Sequence, residues 1–325
     1  MEGIVKKYFV TGGAGFIGSA VVRRLIKLGH PVVVLDDDSR GRDDRIENSG
    51  GDLRIVHGDV RDAAAVAEAA RGADCCIHLA AVNGTENFYK CPDRVLDVGI
   101  RGMLAVMDGC AQSGVPELVV ASSSEAYHEP PVIPTPEQVP LLIPDPYNAR
   151  YSYSASKIAT EMLAIHVAAR SFKRVLIVRP HNVYGPDMGY EHVIPQLAVR
   201  AAKALRAESD VINLDIKGDG SHTRAFIFIE DFVDGFLLVE RAGENLGTYH
   251  IGVEQEMRID RIAELVCRAL GKRGVLNKIP SSSGEPARRC PDTAKLRALG
   301  FQAHTSLETG VARTVQWYAA NPTRR

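Results

Sequence analysis

A tyrosine and a lysine stand four residues apart in the segment Tyr153–Lys157. Of the ten tyrosines in the chain, this is the one that has a lysine at that distance. If the segment is helical, the two side chains share one face, so the ammonium group would lie beside the phenol. A neighbouring positive charge favours the phenolate and lowers a tyrosine pKa from about 10 toward neutrality. The pair predicts a group that takes and returns protons, although a helix-start tyrosine beside a solvated lysine has the same spacing.

A run of hydroxyl side chains follows the apolar segment 118–121. Ser122, Ser123 and Ser124 lead directly into Glu125. A serine hydroxyl here could donate a hydrogen bond to an alcohol oxygen, or to a developing carbonyl oxygen, that it shares with the tyrosine. A serine-rich turn is also common where a strand ends.

Three glycines with the spacing Gly-x-x-Gly-x-x-Gly follow the first apolar segment, residues 8–10. Gly12 permits a tight turn, Gly15 lets the backbone approach a pyrophosphate, and Gly18 lets a helix pack on the strand. The amides at the start of that helix would then face the phosphates. Three glycines with this spacing can occur by chance, so the spacing alone is weak evidence. A predicted strand before it and a predicted helix after it indicate a dinucleotide site.

Asp36 ends the second apolar segment, 18 residues after the last of these glycines. A carboxylate there accepts hydrogen bonds from the adenosine ribose and repels a 2′-phosphate, which favours NAD. Arg40 and Arg42 follow closely, so NADP remains an alternative cofactor. Asp36 could also be a turn-forming residue, since it begins a run of three aspartates. We expect NAD, whose oxidised nicotinamide ring carries a positive charge that would further stabilise a phenolate at Tyr153.

The order of the apolar segments indicates which elements position these residues. Continuous runs of Val, Ile and Leu without alternation are typical of strands covered on both faces, and helical segments separate them. This pattern predicts an α/β fold with a doubly wound parallel sheet of the Rossmann type and a smaller C-terminal substrate-binding lobe. The predicted strands are 8–10, 32–35, 53–56, 75–79, 118–121, 174–178, 213–217, 225–229 and 248–251, and the predicted helices are 15–28, 99–112, 151–170, 258–270 and 306–320.

The chain changes character in two places. Residues 130–146 contain seven prolines, which predicts an extended surface loop or a rim beside the site. Beyond residue 185 the alternation of strands and helices becomes irregular. We therefore expect an NAD-binding domain with the catalytic residues over 1–185. Over 186–325 we expect a mainly substrate-binding lobe, from which some of the chain returns to the first domain.

Composition argues against several classes of protein. The 39 Lys and Arg residues nearly balance the 40 Asp and Glu residues, so no positive field gathers nucleic acid. No apolar run approaches the ~18 residues of a membrane span, and no secretory apolar region opens the sequence. The six cysteines and ten histidines form no Cys-x-x-Cys or His-x-x-x-His pair. This argues against a disulfide framework and against a metal site. We expect a soluble, cytoplasmic protein that binds no nucleic acid, membrane or metal.

Taken together, these segments resemble the extended short-chain dehydrogenase/reductase family, particularly its nucleotide-sugar epimerases and dehydratases. The resemblance covers nearly the whole chain. It is carried by Thr11–Gly18, Asp36, Gly58–Val60, His78–Ala81, Ser122–Tyr127, Tyr153–Lys157, Arg179–Pro186 and Gly218–Phe226.

The resemblance implies roles for individual residues. Asp59 would contact the adenine, and Arg224 would clamp the nucleotide diphosphate with its guanidinium fork. The implied cofactor contacts are Gly12, Gly15, Phe16, Ile17, Gly18, Asp36, Arg40, Asp59, Val60, Leu79, Ala80, Ala81, Ser122, Tyr153, Lys157, Pro180 and Val183. The implied substrate contacts are Ser123, Ser124, Asn182, His192, Val193 and Arg224, and the implied catalytic residues are Ser123, Tyr153, Lys157 and Glu125.

Departures from the family pattern reduce the number of reactions expected of this chain. The 4,6-dehydratases carry Asp-Glu after the active serine or threonine, whereas this chain has Ser124 and Glu125, so the acid that protonates a leaving hydroxyl is missing. Ser-Glu resembles the UDP-glucuronate decarboxylases, but those tend to carry an arginine for the sugar carboxylate where this chain has His192. Gly99 replaces a usual asparagine and His128 a usual glycine, which leaves the shape of the sugar pocket open.

We therefore expect an NAD-dependent nucleotide-sugar epimerase that acts at C4 through a transient 4-keto sugar. Tyr153 would move the proton, Ser123 would bind the reacting oxygen, and Lys157 would hold the nicotinamide ribose. The alternatives are a decarboxylase or dehydratase that starts with the same 4-oxidation and, from another class, an NAD(P)-dependent carbonyl reductase. A non-catalytic dinucleotide sensor would not need the tyrosine and lysine. Apolar faces on the helices 99–112 and 151–170, which the family often pairs between subunits, imply a homodimer.

Overall fold

Strands and helices alternate along the first 180 residues of the computed structural model, which describes residues 5–190, 192–204, 210–280 and 287–322. The elements are β1 (Tyr8–Thr11), α1 (Phe16–Lys27), β2 (Val32–Asp36), β3 (Leu53–His57), α2 (Ala63–Ala70), β4 (Cys75–His78), α3 (Thr85–Lys90), α4 (Pro92–Gln112), β5 (Glu117–Ala121), α5 (Ser152–His166) and β6 (Arg174–Pro180). A 3₁₀ turn over Ser124–Tyr127 follows β5 directly.

Beyond Pro180 the elements follow no regular alternation. They are β7 (Val183–Tyr184), α6 (Val193–Ala204), β8 (Val211–Lys217), β9 (Thr223–Ala225), β10 (Ile227–Phe228), α7 (Ile229–Ala242), β11 (Thr248–Ile251), β12 (Glu256–Arg258), α8 (Ile259–Ala269), β13 (Arg273–Ile279), β14 (Arg288–Arg289), α9 (Ala294–Ala298) and α10 (Leu307–Ala320). Among the described helices, none has both the length and the apolar character that a bilayer crossing requires.

The central sheet has the strand order β11-β6-β5-β4-β1-β2-β3. The pairings that join β1 to β6 are parallel. Both faces of this sheet are covered, since Val10, Ile77 and Val120 on three adjacent strands are fully buried. The strand order reverses between β1 and β4, which is the switch point of a doubly wound, Rossmann-type sheet. The predicted fold class is confirmed.

The chain divides into two units. The first comprises the chain up to His128, Pro140–Pro180 and Val233–Tyr249, and the second comprises Glu129–Val139, His181–Phe232 and the chain from His250. Most of the parallel sheet belongs to the first unit. The second unit contains the parallel pair β8 and β13 and a three-stranded sheet in the order β12-β9-β14.

Most predicted elements lie within two residues of the observed ones, but three predictions were wrong at their ends. Helix α4 begins at Pro92, seven residues earlier than predicted, because proline fits the first turn of a helix. Helix α5 ends at His166 and a 3₁₀ turn follows. The predicted strand 225–229 stops at Phe228, where α7 begins. No element was predicted for α3, α6, α7, α9, β7, β12, β13 or β14.

Four charged side chains form an ion-pair cluster at the amino ends of the sheet strands. Lys6 Nζ lies 3.1 Å from Glu117 Oε2 and 2.9 Å from Glu240 Oε1. Arg174 Nη2 lies 2.6 Å from the same Glu117 oxygen and 3.7 Å from Glu240 Oε1. Burial raises the pKa of Glu117, but hydrogen bonds from Arg174 and Lys6 outweigh this, and its pKa is lowered. The cluster therefore stabilises the fold while Glu117 is ionised.

We predict that Glu117→Gln lowers the free energy of unfolding by about 1–3 kcal/mol near neutral pH, because Lys6 and Arg174 each lose one of their two charged partners. The folded pKa of Glu117 is depressed, so its contribution is present above the ordinary value of 4.5 and is lost as the pH falls through the folded pKa. Urea unfolding of both proteins near pH 7 and well below the ordinary pKa would measure this difference.

Glu68→Gln provides the control, because Glu68 pairs with Arg71 on the surface, where both side chains are more than half exposed. It should change stability by less than about 1 kcal/mol. An equal loss for Glu117→Gln at both pH values would contradict the role of the charge.

Candidate active site

The loops that follow β1 to β6 emerge at one edge of the sheet because these strands are parallel. The pairing register places Thr11 beside Leu35 and His78, and Ala121 beside Val178. The glycine turn after β1, the aspartate at the end of β2, the segment after β4 and the serine run after β5 all lie along this edge. In an open α/β sheet this is the edge where ligands bind.

Close backbone packing leaves no room for a Cβ at Gly12 in the turn after β1 or at Gly18 in the helix that follows. Gly12 has a φ of +71°, and a Cβ there would lie 2.8 Å from the N and Cα atoms of Ala80. A Cβ on Gly18 would lie 2.1 Å from the carbonyl oxygen of Gly12. Gly15 precedes α1 in an extended conformation, and Phe16–Ile17 form the half-buried start of that helix. Bare backbone amides at a helix N-terminus are well suited to bind a pyrophosphate.

The segment Leu79–Ala81 packs directly against this turn. The backbone N–H of Leu79 donates to the carbonyl of Thr11 at 3.1 Å, and that of Ala80 donates to the Thr11 hydroxyl at 3.3 Å. Thr11 Oγ1 also lies 2.8 Å from Nδ1 of His78. Burial, with a contribution from the charge of Lys157, lowers the pKa of His78 to about 3. The imidazole is therefore neutral at physiological pH.

Asp36 ties the glycine turn to the loop after β2. Its Oδ2 accepts a hydrogen bond from the amide of Ala14 at 2.9 Å, and its Oδ1 accepts one from the amide of Asp38 at 3.1 Å. Burial raises the pKa of Asp36, and these two hydrogen bonds act in the opposite direction. The guanidinium of Arg40 donates to the carbonyl of Asn83, in the loop after β4.

Asp59, at the start of the loop after β3, is held by Arg61. The Nε and the backbone N of Arg61 each lie 2.9 Å from Asp59 Oδ1. The side-chain hydrogen bond from Arg61 lowers the pKa of Asp59, although burial acts in the opposite direction. Val60 is buried against α4, where a Cβ on Gly102 would lie 2.9 Å from its Cγ1. The ionised Asp59 carboxylate is an acceptor only.

Tyr153 lies near the start of α5 with its side chain almost fully buried. Its ring stacks on Phe88 of α3, with centroids 5.0 Å apart and an interplanar angle of 12°. Burial raises the pKa of the phenol, and a hydrogen bond with Ser123 lowers it. The negative charge of Glu125 raises it further, and the positive charge of Arg40 lowers it. The phenol needs positive charge nearby to ionise at neutral pH.

Lys157 lies one helical turn after Tyr153. Its Nζ lies 5.7 Å from the centroid of the Tyr153 ring and donates to the carbonyl of Ala121 at 2.7 Å. The side chain is buried, and burial lowers the pKa of Lys157 to about 8, while Glu161 acts to raise it. The ammonium group is therefore mostly protonated at neutral pH and loses its proton in the mildly alkaline range.

The serine run places its three hydroxyl groups differently. Ser122 donates to the buried carboxylate of Glu161. Ser123 caps the 3₁₀ turn by accepting a hydrogen bond from the amide of Glu125 at 3.1 Å, and its hydroxyl also bonds to Tyr153. Ser124 is buried. Ser123, Tyr153 and Lys157 therefore lie together in the first unit, with Glu125 close enough to affect the phenol electrostatically.

Four of the six expected substrate contacts, Asn182, His192, Val193 and Arg224, lie in the second unit, whereas Ser123 and Ser124 lie in the first. Asn182 has a φ of +40°, and its Nδ2 donates to the carbonyl of Ala225 at 3.1 Å. Arg224 on β9 donates from Nη1 to the carbonyl of Thr223 at 2.8 Å. In the rest of the unit, Val183 forms β7, and His192 and Val193 are exposed at the start of α6. Pro180 ends β6 in the first unit.

The family model that matches this chain describes the NAD dependent epimerase/dehydratase family and covers residues 8–252. This chain belongs to the NAD-dependent epimerase/dehydratase family. The resemblance to the extended short-chain dehydrogenases/reductases is thereby confirmed. The match spans the whole parallel sheet.

Relatives within the family have different activities. The chain is 28% identical to a UDP-N-acetyl-α-D-glucosaminuronate decarboxylase of Bacillus cytotoxicus, over 96% of this chain and 98% of that protein. It is 30% identical to a UDP-glucose 4-epimerase of Mycolicibacterium smegmatis, over 95% of this chain and 97% of that protein. Among solved structures, DesIV from Streptomyces venezuelae, a dTDP-glucose 4,6-dehydratase with NAD bound, has a TM-score of 0.85 at 29% identity, with 97% of each chain covered.

NAD is the cofactor of this epimerase/dehydratase family, and the residues present fit it. The fit rests on the cradle at Gly12 and Gly18, where no side chain could be accommodated. The pyrophosphate would lie against these amides and the adenosine end near Asp36 and Asp59. The other end of the cofactor would reach Tyr153 at the same edge of the sheet.

Three residues next to the sequence-predicted ones were not predicted. Glu161 follows Lys157 by four residues, so the spacing that singled out Tyr153 could also have indicated this carboxylate. Phe88 lies on a helix of six residues with no distinctive pattern. Arg289 on β14 pairs in register with Arg224 on β9 and is 8% exposed, but no local spacing relates the two arginines.

We predict that Asp36→Asn reduces the preference of the protein for NAD over NADP at least about tenfold, because the charge that repels a 2′-phosphate is removed. The asparagine oxygen can still accept the hydrogen bond from Ala14, which preserves the turn. Fluorescence titration of the cofactor-free protein with both dinucleotides would give the two dissociation constants.

Asp37→Asn is the matched control, since Asp37 is the exposed neighbour and pairs with Arg94. Its ratio of dissociation constants should remain close to that of the unmodified protein. If Asp36→Asn left the ratio unchanged, another residue, such as Arg40, would govern the ribose end.

Proposed function

We propose that this chain is an NAD-dependent nucleotide-sugar epimerase that inverts C4 through a transient 4-keto sugar. The observation that carries the proposal is the grouping of the half-buried Ser123 with the buried Tyr153 and Lys157 at the carboxyl edge of the sheet, beside the dinucleotide cradle. A phenol and a hydroxyl that share one oxygen position suit the oxidation of a secondary alcohol.

Each of the three residues has a distinct task in this proposal. When bound, NAD supplies a nicotinamide ring that accepts a hydride and returns it. Tyr153 accepts the proton of the sugar 4-hydroxyl at its phenolate oxygen and later gives it back. Ser123 donates a hydrogen bond to the reacting oxygen, and Lys157, whose Nζ lies 5.7 Å from the centroid of the Tyr153 ring, provides a positive charge that favours the phenolate.

The second unit offers a means to hold a nucleotide diphosphate. Arg224 and Arg289 lie in register on adjacent parallel strands, so two guanidinium-bearing side chains start from the same side of the sheet. Such a pair favours an anion between or beside the two groups. A substrate held by its diphosphate leaves the sugar able to turn between two hydride transfers. A carbonyl reductase acting on small substrates would not need these arginines.

Decarboxylation of a uronic-acid nucleotide is a second candidate, and Glu125 is the observation that favours it. Its charge acts on Tyr153, so the carboxylate lies near the reacting group. The Bacillus cytotoxicus relative is named as a decarboxylase. His192, which stands where the decarboxylases tend to have an arginine, is a weaker partner for a sugar carboxylate and makes epimerisation the first choice. Ser124, which replaces the acid of the dehydratases, argues against dehydration.

A homodimer forms part of the same proposal. Leu104 on α4 and Met162 on α5 are 40% and 52% exposed, although Met107 on α4 is buried in the core. Helices α4 and α5 pack against each other. Their exposed apolar side chains would be covered by the same helices of a second copy.

We predict that Tyr153→Phe lowers kcat by at least about 10², since the proton acceptor is lost while the ring that packs on Phe88 remains. Bound NAD and the unfolding temperature should change little. Tyr147→Phe is the control, because Tyr147 is 96% exposed, and it should keep full activity. Normal turnover by Tyr153→Phe would remove this tyrosine from the mechanism.

We also predict that turnover is redox-neutral. Deuterium placed at C4 of the sugar should remain at C4 of the inverted product, because both transfers occur before either ligand leaves the site. Free NADH should not accumulate and no reductant should be needed. The measurement is an NMR analysis of products from a panel of UDP-, GDP-, CDP- and dTDP-sugars.

Other results of the same experiment would favour different functions. Loss of deuterium to an added pool of NADH, or one NADH released per turnover, would rule out the epimerase in favour of a dehydrogenase. Release of carbon dioxide from a uronic-acid nucleotide would favour the second candidate, and Glu125→Gln should then reduce that release.

A further inference from the structure

A buried ion pair lies behind the proton-transfer residues. Glu161 on α5 and Arg179 on β6 are 2% and 5% exposed. Arg179 donates from Nε to Glu161 Oε1 at 2.8 Å and from Nη2 to Glu161 Oε2 at 2.6 Å. The two groups therefore form a bidentate, charge-assisted pair, the strongest geometry available to an arginine and a carboxylate.

Two further buried side chains complete the network. Ser122, at the end of β5, donates to Glu161 Oε1. Tyr127, at the end of the 3₁₀ turn, accepts a hydrogen bond from Arg179 Nη1, and its ring centroid lies 4.9 Å from Arg179 Cζ. The carboxylate thus connects three elements: the helix α5, the end of β5 and the end of β6.

These three elements carry or adjoin the residues of the redox step. Helix α5 presents Tyr153, Lys157 and Glu161 at intervals of four residues, on one face. Ser123 lies between Ser122, which bonds to Glu161, and the turn that ends at Tyr127. Replacing a buried ion pair with apolar residues is often neutral or stabilising, so stability alone does not explain the pair. The position of the Glu161–Arg179 pair suits a role in holding α5 and the serine run in place.

We propose that Glu161, held by Arg179, is a positioning residue that fixes α5 against the serine run and presents a negative charge one helical turn from Lys157. The inference rests on the proposed function, in which Lys157 must be charged to stabilise the Tyr153 phenolate. Glu161 contacts neither substrate nor cofactor in this proposal. It acts through Lys157 and Ser122.

The charged and titratable groups around Lys157 support this assignment. On its own helix Lys157 faces Tyr153 and Glu161, and from β4 it faces His78. His78 is neutral, since burial lowers its pKa to about 3. Strand β5 contributes the uncharged carbonyl of Ala121. Burial lowers the pKa of Lys157 to about 8, and Glu161 is the group that raises it.

Glu161→Gln tests the proposal, because the amide keeps the shape and an acceptor oxygen but removes the charge. The titration of Lys157 would be followed by the NMR signal of its Cε, identified by its loss in Lys157→Met. We expect the midpoint to fall by roughly one pH unit. The alkaline limb of the kcat profile should move in the same direction, with little change in the KM for the sugar.

Glu117→Gln is the matched control, since it neutralises a carboxylate of an ion-pair cluster at the opposite edge of the sheet. It should reduce stability without moving the Lys157 midpoint. Glu161→Asp restores the charge and should bring the midpoint back toward the value of the unmodified protein. If Glu161→Gln does not fold with Arg179 unpaired, the double variant Glu161→Gln/Arg179→Met removes both charges. Its Lys157 midpoint should still fall, but by less than in a folded single variant, because the loss of the positive charge of Arg179 acts in the opposite direction.

The outcomes separate this inference from the function itself. A Lys157 midpoint that does not move in any Glu161→Gln protein, or that moves equally in Glu117→Gln, overturns the role of Glu161. Absence of turnover on every nucleotide sugar would overturn the proposed function instead. The NMR titration decides the positioning role in either case, because it requires no turnover.

Discussion

The parallel direction of the central strands is the constraint on which the rest of the structure depends. All six strands from β1 to β6 end at one edge of the sheet. Residues that are far apart in the sequence therefore come close together there because of the strand direction, and they need no direct interaction with each other to do so. Thr11 and Ala121 each end a strand, and the turns after them carry the glycine cradle and Ser123. Helix α5 then needs only to pack along the sheet to bring Tyr153 and Lys157 to the same edge.

Burial shifts the pKa values of Tyr153 and Lys157 in opposite directions. It raises the pKa of Tyr153 and lowers that of Lys157, so each group is driven toward its neutral form. The charged pair of phenolate and ammonium is therefore costly in this site unless another charge intervenes. Glu161 is such a charge for Lys157, and its own negative charge is balanced by Arg179. In the proposed mechanism, the reactivity of Tyr153 therefore depends on charged groups that do not themselves touch the substrate.

The sequence predicted what depends on local spacing and missed what depends on packing between elements. The glycine turn, Asp36 and the pair Tyr153 and Lys157 follow from intervals of a few residues, and the strand predictions follow from continuous apolar runs. The stacking of Phe88 on Tyr153 needs α3 to pack beside α5, which no period in the sequence encodes. The register of Arg289 on Arg224 likewise joins two short strands that are far apart along the chain. Residues of this kind are found only when the fold is known.

Epimerases, decarboxylases and dehydratases of this family begin with the same oxidation. We therefore expect the residues around Ser123, Tyr153 and Lys157 to determine which of these reactions follows. His128 is one such residue. It has a φ of +53° where the family usually has glycine, its side chain is buried, and its ring lies edge-on to Tyr151 with centroids 4.9 Å apart. With a ψ of −94°, His128 lies outside the left-handed helical region, and such a sparsely populated backbone conformation costs of order 1–3 kcal/mol. Since Tyr151 directly precedes α5, the ring occupies space beside the start of the catalytic helix that a glycine would leave open. Sugar selectivity in this chain is therefore expected to depend on the shape set by His128 and Glu125 more than on the redox residues.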